Sequence, residues 1–439
     1  MNRQLLQDVF GAALAAADPR RMVVGLGTRL QSLYREGGFR QLYVAGFGKA
    51  ACAMAEGLEK AISELITEGV LVTKDGHARG CRLSNRLAVF EAAHPVPDER
   101  GVAASQRILS LAEAADEKTL FLCLISGGGS SLFAMPSDGI ALREKRLVTN
   151  MLLRSGATIE ELNTVRKHIS RVKGGQLAAA AYPASVVSLI LSDVIGDRLD
   201  VIASGPTVPD PSTFVDVRAT LEKYDLLDKV PGPVLKLIED GITGQWPETP
   251  KRGDCVFGRV ENIIIGSNKL SLDVASTRAT AFGFETKILS AALSGESRDV
   301  ARMLAREALL EQERLTREGK GKRCLLCGGE TTVTVNGTGN GGRNLEMALA
   351  FAMAIEGREN ILFLSGGTDG TDGPTDAAGA VVDGGTVERR RKAGYCAEEY
   401  LQRNDSYNYF KGTKELLVTG PTGTNVMDVQ IILVSNPTH

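Results

Sequence analysis

The stretch LFLCLISGGGSSLFAMP (Leu120–Pro136) joins an apolar run to three consecutive glycines. The apolar residues 120–125 predict a buried strand. Glycine permits positive φ and close approach of a ligand to the backbone, and the serines that follow are suited to begin a helix. A strand, a glycine turn and a helix start, in that order, direct backbone N–H groups towards an anion. We therefore expect an anion cradle, rather than an ordinary tight turn, at Ser126, Gly127, Gly128, Gly129 and Ser130.

Similar apolar runs extend this pattern along the first half of the chain. They predict strands at 41–46, 69–73, 88–92 and 186–191, with helical patterns such as 101–114 between several of them. Strands that alternate with helices indicate a parallel sheet covered on both faces. The predicted fold class is therefore α/β, with a doubly wound, Rossmann-like parallel sheet in an N-terminal domain over residues 1–245.

A polar segment with proline and glycine, GITGQWPETPKRGD (241–254), is interpreted as a linker. Further strands are predicted beyond it at IIIG (263–266), TKIL (286–289), CLLC (324–327), TTVTV (331–335) and ILFLS (361–365). Together with the helical patterns between them, these runs predict a second α/β domain over residues 255–439.

The composition limits the classes of partner. Lysine and arginine number 51 against 53 aspartates and glutamates, so the net charge is −2, and this balance argues against nucleic acid as a partner. The sequence has no run of 18 apolar residues, so it predicts no membrane span. Seven cysteines without paired spacing indicate reduced thiols in a cytoplasmic protein. Strand alternation would place Cys324 and Cys327 on opposite faces, as a buried structural pair. The sequence leaves open whether the protein forms a homodimer.

Two basic segments are candidates for binding anions. GFGKA (46–50) places Lys49 just after a predicted strand, where ligands of α/β sheets bind; a solvated lysine at a helix start is the alternative. The segment around NTVRKHISRVKGG (163–175) is interpreted as one helix, capped by Asn163 or Thr164 and ended by its two glycines. On that helix, one face would be shared by Arg166, Ser170 and Lys173, with His168 nearby. This face could bind a carboxylate or phosphate; a solvated basic surface is the alternative.

Aspartates and a second glycine run mark three further segments. Asp193 and Asp197 follow a predicted strand, where they could hold Mg²⁺, accept a proton or simply cap a loop. GTGNGGR (337–343) contains GxGxxG, but the acid expected at the end of the next strand of a dinucleotide fold is missing. Arg343 adds a fork suited to phosphate. Asp369 and Asp372 alternate with small residues, which fits a metal–phosphate lip better than plain turns.

Taken together, the motifs resemble the glycerate 2-kinase family, whose C-terminal half is called the MOFRL domain. The matching segments run in order from residue 46 to residue 428: GFGKA, EAAHPVPDE, LISGGGSSL, NTVRKHISRVKGGQLA, SDVIGD, ASGPTVPD, GGETTVTVNGTGNGGRN, SGGTDGTDGPTDAAGA and TGPTGTNVMD. The resemblance implies ATP-dependent phosphorylation of D-glycerate to 2-phosphoglycerate, with Mg²⁺. It also implies a smaller C-terminal domain and an active site in the cleft between the two domains.

The residues receive the following expected roles. Catalysis is assigned to Lys49, Asp193 and Arg343, with Asp193 either accepting the hydroxyl proton or holding the metal. Substrate binding is assigned to the loop from Ser126 to Ser130 and to Arg166, His168 and Lys173. Nucleotide binding is assigned to Gly339, Gly341, Gly342, Gly367, Thr368 and Asp369. Metal binding is assigned to Asp193, Asp197, Asp369 and Asp372.

Two other functions remain open at this point. An NAD(P)H-dependent hydroxypyruvate reductase is favoured by the GxGxxG and disfavoured by the missing ribose-binding acid. A non-catalytic regulator that binds sugar phosphates would need only the anion sites, and the sequence shows no DNA-binding module to accompany it.

Overall fold

The structure is a computed structural model that describes residues 3–436, and these residues form two compact units. The first comprises Pro19–Ser192 and Asp197–Ile265, and we call it the parallel-sheet unit. The second comprises residues 3–18, 193–196 and 266–436, and we call it the mixed-sheet unit.

Six strands form the sheet of the parallel-sheet unit. They are β1 (Gln41–Phe47), β2 (Glu68–Lys74), β3 (Leu87–Ala92), β4 (Thr119–Ile125), β5 (Ser185–Leu191) and β6 (Val260–Gly266). Their order across the sheet is β3-β2-β1-β4-β5-β6, and the pairings from β3 to β5 are parallel. This is the strand order of the doubly wound nucleotide-binding fold. The predicted Rossmann-like architecture is therefore confirmed.

Some helices of this unit pack on the sheet, and others pack on one another. After α1 (Arg3–Ala16), which belongs to the mixed-sheet unit, they are α2 (Pro19–Gly25), α3 (Gly27–Glu36), α4 (Ala51–Ile62), α5 (Glu99–Glu113), α6 (Gly129–Leu132), α7 (Leu142–Arg154), α8 (Ile159–His168), α9 (Gln176–Ala181), α10 (Phe214–Lys223) and α11 (Gly232–Ile242). In α5, Asp98 caps the first turn by accepting from the Gly101 N–H, and buried residues recur at helical spacing at Ala104, Ile108 and Ala112.

The mixed-sheet unit also has six strands. They are β7 (Glu285–Leu293), β8 (Lys322–Gly329), β9 (Ile361–Gly367), β10 (Gly379–Asp383), β11 (Leu416–Leu417) and β12 (Asp428–Ser435), in the order β11-β10-β9-β12-β8-β7. Only β7 and β8 pair in parallel; the other pairs are antiparallel. The helices of this unit, besides α1, are α12 (Asn268–Ala281), α13 (Ser297–Glu318), α14 (Arg343–Ala354), α15 (Thr386–Lys392), α16 (Ala397–Gln402) and α17 (Ser406–Phe410). A second α/β unit is thus confirmed.

One predicted strand is wrong. TTVTV (331–335) is extended but forms only an isolated bridge between Thr332 and Glu296. The Glu296 carboxylate accepts hydrogen bonds from the backbone N–H and the hydroxyl of Thr334, and Val335 is 72% exposed. The Glu296 side chain thus accepts hydrogen bonds that a neighbouring strand would otherwise accept. The β-branched residues of TTVTV therefore do not mark a buried strand.

The unit boundaries also differ from those expected. Helix α1 packs its apolar face, including Phe10, against Ile431 and Leu433 in the mixed-sheet unit. The segment 241–254 is no linker, because it is fastened within the parallel-sheet unit: Thr249 donates to Asp210, and Glu248 accepts from the Phe214 N–H. The main passage from one unit to the other lies instead at residues 265–266.

The cysteines follow the predicted pattern, and all seven are free thiols. Cys324 and Cys327 are buried in different hydrophobic clusters, as alternation along β8 requires. Burial is the main cause that raises the pKa of each of these two thiols to about 12. Among residues 3–436, no helix has the length and apolarity that a membrane span requires.

Candidate active site

The carboxyl ends of β1 and β4 bring together the two loops that the sequence marks as anion binders. These strands are neighbours at the point where the strand order reverses, which is where doubly wound folds bind ligands. The Lys49 N–H donates to the Gly127 carbonyl over 2.9 Å, and the Ala50 N–H donates to Ser126 Oγ over 3.0 Å. The Lys49 loop and the Ser126–Ser130 loop are therefore one bonded structure.

Glycine is required at Gly128 for two reasons. Its φ is +83°, a region that side chains rarely adopt. A Cβ atom there would also lie 3.1 Å from the His94 ring and 3.3 Å from Lys49 Cγ. The turn leads directly into the short helix α6, so the loop has the conformation expected of an anion cradle.

His94 is a neighbour of this loop that the sequence analysis did not single out. Burial, followed by the charge of Lys49, lowers the pKa of His94 to about 4. The imidazole is thus neutral at neutral pH and adds no charge beside Lys49. Its only sequence signal is its place in EAAHPVPDE, because isolated histidines carry no pattern of their own.

A cavity of about 170 Å³ lies next to the cradle within the parallel-sheet unit. Ser130 and Ser131 form part of its wall, and four cationic side chains share it: Lys145, Arg146, Arg166 and Lys173. Two of these, Arg166 and Lys173, were expected to bind substrate. Helix α7 contributes the other two, which sequence reasoning missed because they stand among ordinary polar residues of an amphipathic helix.

Burial lowers the pKa values of three of these cations. Lys145 has a pKa well below its usual range, through burial and then the charges of Lys173 and Arg166. The pKa of Lys173 falls to about 7 through burial and the charge of Arg166. Burial alone lowers the pKa of Arg166. Each cation therefore gains if an anion enters the cavity.

Arg166 and Lys173 reach the cavity by a route that differs from the predicted one. Helix α8 begins after Thr158, which caps it together with Glu161, and it ends at His168. The next residues turn away to pair with another segment, since the Arg171 N–H donates to the Met135 carbonyl. The prediction of one helix through Ser170 and Lys173 is therefore wrong, and so are the predicted caps.

His168 points into a different environment. Its Nδ1 lies 2.8 Å from the Thr164 carbonyl and its Nε2 lies 2.8 Å from Glu248 Oε1. The side chain is fully buried and packs edge-on against Phe214. The structure therefore does not bring His168 into the cation-lined cavity.

A strained turn supports the cradle from behind. Ala203, Ser204 and Gly205 have consecutive φ values of +50°, +61° and +62°, a run that costs free energy at the two non-glycine residues. Ser204 Oγ lies 2.9 Å from Ser130 Oγ and donates to Asn163 Oδ1 over 3.0 Å. The strained turn therefore lies at the point where Ser204 positions Ser130 of the cradle. Asp193 and Asp197 follow β5 as predicted, and Asp197 has a φ of +54°.

In the mixed-sheet unit, Arg343 opens α14 but is already paired. Its Nε and Nη2 donate to Asp428 over 2.5 and 2.9 Å, and Nη1 lies 3.0 Å from Glu330. Burial opposes the guanidinium charge, but the Asp428 bonds outweigh it and hold the pKa of Arg343 above its usual value. The fork is therefore fixed in orientation, and a phosphate has to compete with or join two carboxylates.

Asp372 has a structural task at the same helix start. Its two oxygens accept from the backbone N–H groups of Asn344 and Leu345, over 3.1 and 2.8 Å. Burial raises the pKa of Asp372 to about 6 despite these bonds. The carboxylate thus takes the N-terminal position of α14 that an anionic ligand would occupy. Within the part of the chain that the structure describes, no three or more His, Cys, Asp or Glu residues are grouped as a metal site.

The second glycine loop packs against residues 403–406. The N–H groups of Asn336 and Gly337 donate to Asn404 Oδ1, and the Gly339 N–H donates to the Arg403 carbonyl. Cβ atoms at Gly339, Gly341 and Gly342 would lie 2.4 Å from Asp405, Ser406 and Asp372 respectively. These glycines thus permit close packing, and the GxGxxG does not lie between a strand and a helix as a dinucleotide site requires.

The predicted nucleotide residues at the end of β9 form a compact turn. Thr368 is buried, and its hydroxyl donates to the Met427 carbonyl over 2.6 Å and accepts from the Val426 N–H. Asp369 Oδ1 accepts from the Thr371 N–H over 3.0 Å, and a Cβ at Gly367 would lie 3.3 Å from the same oxygen. Gly367 and Asp369 therefore lie together, while Thr368 serves the packing of the turn.

Comparisons with known proteins identify both halves of the chain. A family model described as a domain of unknown function, DUF4147, matches residues 5–239, and the MOFRL family model matches residues 323–428. The crystal structure of glycerate kinase from Thermotoga maritima superposes with a TM-score of 0.88 and 42% identity, over 98% of this chain and 99% of that one.

Curated relatives span nearly the full chain. The D-glycerate 2-kinase of Thermotoga maritima is 44% identical, over 90% of this chain and 91% of the relative. The glycerate 2-kinase of Pyrococcus horikoshii is 41% identical, over 99% and 98%. A protein of Agrobacterium vitis with a provisional name of hydroxypyruvate reductase is 40% identical, over 98% and 94%.

Proposed function

This chain belongs to the glycerate kinase family, and we propose that it transfers the γ-phosphoryl group of ATP to the C2 hydroxyl of D-glycerate. The observation that carries the proposal is the cation-lined cavity beside the Lys49–Gly128 cradle, at the switch point of the parallel sheet. Phosphoryl transfer depends on positioning and on neutralising charge, and these are what such a site supplies.

The residues divide the work as follows. The C2 oxygen attacks the γ-phosphorus, the bond from that phosphorus to the bridging oxygen breaks, and ADP leaves with the electron pair. Lys49 and the N–H groups of the cradle stabilise the charge on the transferring group. We assign Asp193 either to accept the hydroxyl proton or to hold the metal. We assign the guanidinium of Arg343, which Asp428 holds in one orientation, to the nucleotide phosphates.

We propose Mg²⁺ as a companion of ATP, where it supplies further neutralisation of the triphosphate charge. Magnesium bound to nucleotides commonly needs only one or two protein carboxylates. We assign this role to Asp193 or Asp369, which are both partly buried in the mixed-sheet unit. Asp372 fits poorly because helix N–H groups engage both of its oxygens.

The reductase alternative has lost its structural support. The only feature that favoured it was the GxGxxG segment. Backbone N–H groups of this segment donate to residues 403–405, and no strand directly precedes it. A pyrophosphate would find these donors already occupied.

Parallel assays separate the alternatives. The protein is mixed with ATP, Mg²⁺ and D-glycerate while ADP release is followed, and separately with NADH or NADPH and hydroxypyruvate while absorbance at the nicotinamide band is followed. We expect glycerate-dependent ADP release and no nicotinamide oxidation. Nicotinamide oxidation would support the reductase, and ligand binding without either reaction would support a regulator.

A further inference from the structure

The four cations of the cavity have almost no counter-charge. Lys145 and Lys173 are 5% and 1% exposed, and Arg166 is partly buried. Across residues 3–436, no carboxylate pairs with Lys145, Arg146, Arg166 or Lys173, although surface cations elsewhere in the protein are widely paired.

Backbone carbonyls are the partners that these side chains do have. Lys145 Nζ donates to the Ile169 carbonyl over 2.7 Å, Lys173 Nζ donates to the Ala203 carbonyl over 3.4 Å, and Arg146 donates to the Pro97 carbonyl. The buried Nε of Arg146 has no acceptor among the described residues. Carbonyl oxygens orient an ammonium group but do not neutralise it, so the cluster retains an uncompensated electrostatic cost.

The site suits a small anion. Its volume is about 170 Å³, and the apolar side chains of Pro95, Pro97 and Ala134 form part of its wall. A carboxylate carries one charge and two oxygens, which match a pair or triad of cations. A triphosphate carries several charges, and the cradle formed by Lys49 and the Gly128 loop offers it a separate place.

Resting on the proposed function, we propose that Lys145, Arg166 and Lys173 bind the carboxylate of the acceptor substrate, which makes Lys145 a specificity-determining residue. An acceptor must then carry a carboxylate. Neutral polyols of the same size are rejected, because they leave the buried cations without an anion. The strained turn at Ala203 is part of this carboxylate site, because the Ala203 carbonyl orients the ammonium group of Lys173.

The test compares D-glycerate with its neutral analogue D-glyceramide in the wild-type enzyme and in Lys145→Met. The wild type should prefer glycerate by at least about 100-fold in kcat/KM. In Lys145→Met, the KM for glycerate should rise about tenfold or more, in line with the loss of a charged hydrogen bond. The preference should shrink by the same factor, and the KM for ATP should stay within about twofold. Arg143→Met is the matched control, because Arg143 is exposed on the same helix.

Calorimetry with glycerate alone separates this inference from the proposed function. If the wild type binds glycerate and Lys145→Met does not, the inference holds even should no ADP be released. Arg166→Met replaces Lys145→Met if the latter fails to fold, as judged by thermal unfolding. Folded variants that bind glycerate like the wild type, or keep its preference for the acid, would overturn the inference.

Discussion

Replacing Gly128 with alanine tests the geometry of the cradle more finely than removing a charge. The φ of +83° costs an alanine about 1–2 kcal/mol. The added Cβ also meets the His94 ring at 3.1 Å and Lys49 Cγ at 3.3 Å, so that each must move by a few tenths of an ångström. We expect Gly128→Ala to lose about 1–2 kcal/mol of stability and about 10- to 100-fold in kcat, because displacement of a positioned charge weakens its contact with the transition state.

Gly139 provides a matched control. Its φ is +82°, and a Cβ there would meet nothing within 4 Å. Gly139→Ala should therefore lose similar stability while keeping its activity. Thermal unfolding and a coupled ADP-release assay would measure both quantities in both variants. If the kcat of Gly128→Ala falls within about twofold of that of Gly139→Ala, the reasoning about the cradle is refuted, because the conformational cost alone would account for the change.

Three further predictions follow from single side chains. Lys49→Ala should lower kcat by roughly 100-fold or more with little change in thermal stability, whereas Lys60→Ala, an exposed lysine on α4, should change neither; near-normal kcat in Lys49→Ala would remove Lys49 from the site. Asp428→Asn should destabilise the protein by about 1–3 kcal/mol in thermal or urea unfolding, since the buried partner of Arg343 loses its charge; unchanged stability would argue against a fixed fork. The KM for glycerate should be nearly constant below about pH 7 and rise above it, because the pKa of Lys173 is lowered to about 7 and only its protonated form offers charge to the carboxylate. The titratable groups that face it, Lys145 and Arg166, are both bases whose pKa values burial lowers, so loss of their protons would change the KM in the same direction. A KM that stays flat from pH 6 to 9 would contradict this assignment.

The strands of the parallel-sheet unit could be predicted because burial on both faces leaves a continuous apolar run, as in β4, where every residue is buried. The junction of Lys49 and the glycine loop was predictable for a related reason. Parallel strands end at one edge of the sheet, so loops that follow β1 and β4 must meet there.

The cavity could not be predicted, because its cations come from α7, from α8 and from the segment after α8. The basic residues from 166 to 173 have helical spacing, but the backbone beyond His168 pairs with residues 135–137, a long-range choice that local spacing does not encode. The role of the second glycine loop is ambiguous in the sequence for another reason: close packing against Asp405 and close approach to a phosphate both demand glycine. Its assignment to nucleotide binding stays a prediction. The expectation that residues from both units complete one active site stays a prediction.

The position of the transferred phosphate is the most direct test of the central claim. After reaction of ATP with D-glycerate, proton-coupled ³¹P NMR reports how many hydrogens the bonded carbon carries. Transfer to the C2 hydroxyl, as the account predicts, gives a doublet from the single hydrogen at C2. A triplet from the two hydrogens at C3, or no new phosphate ester at all, would contradict it.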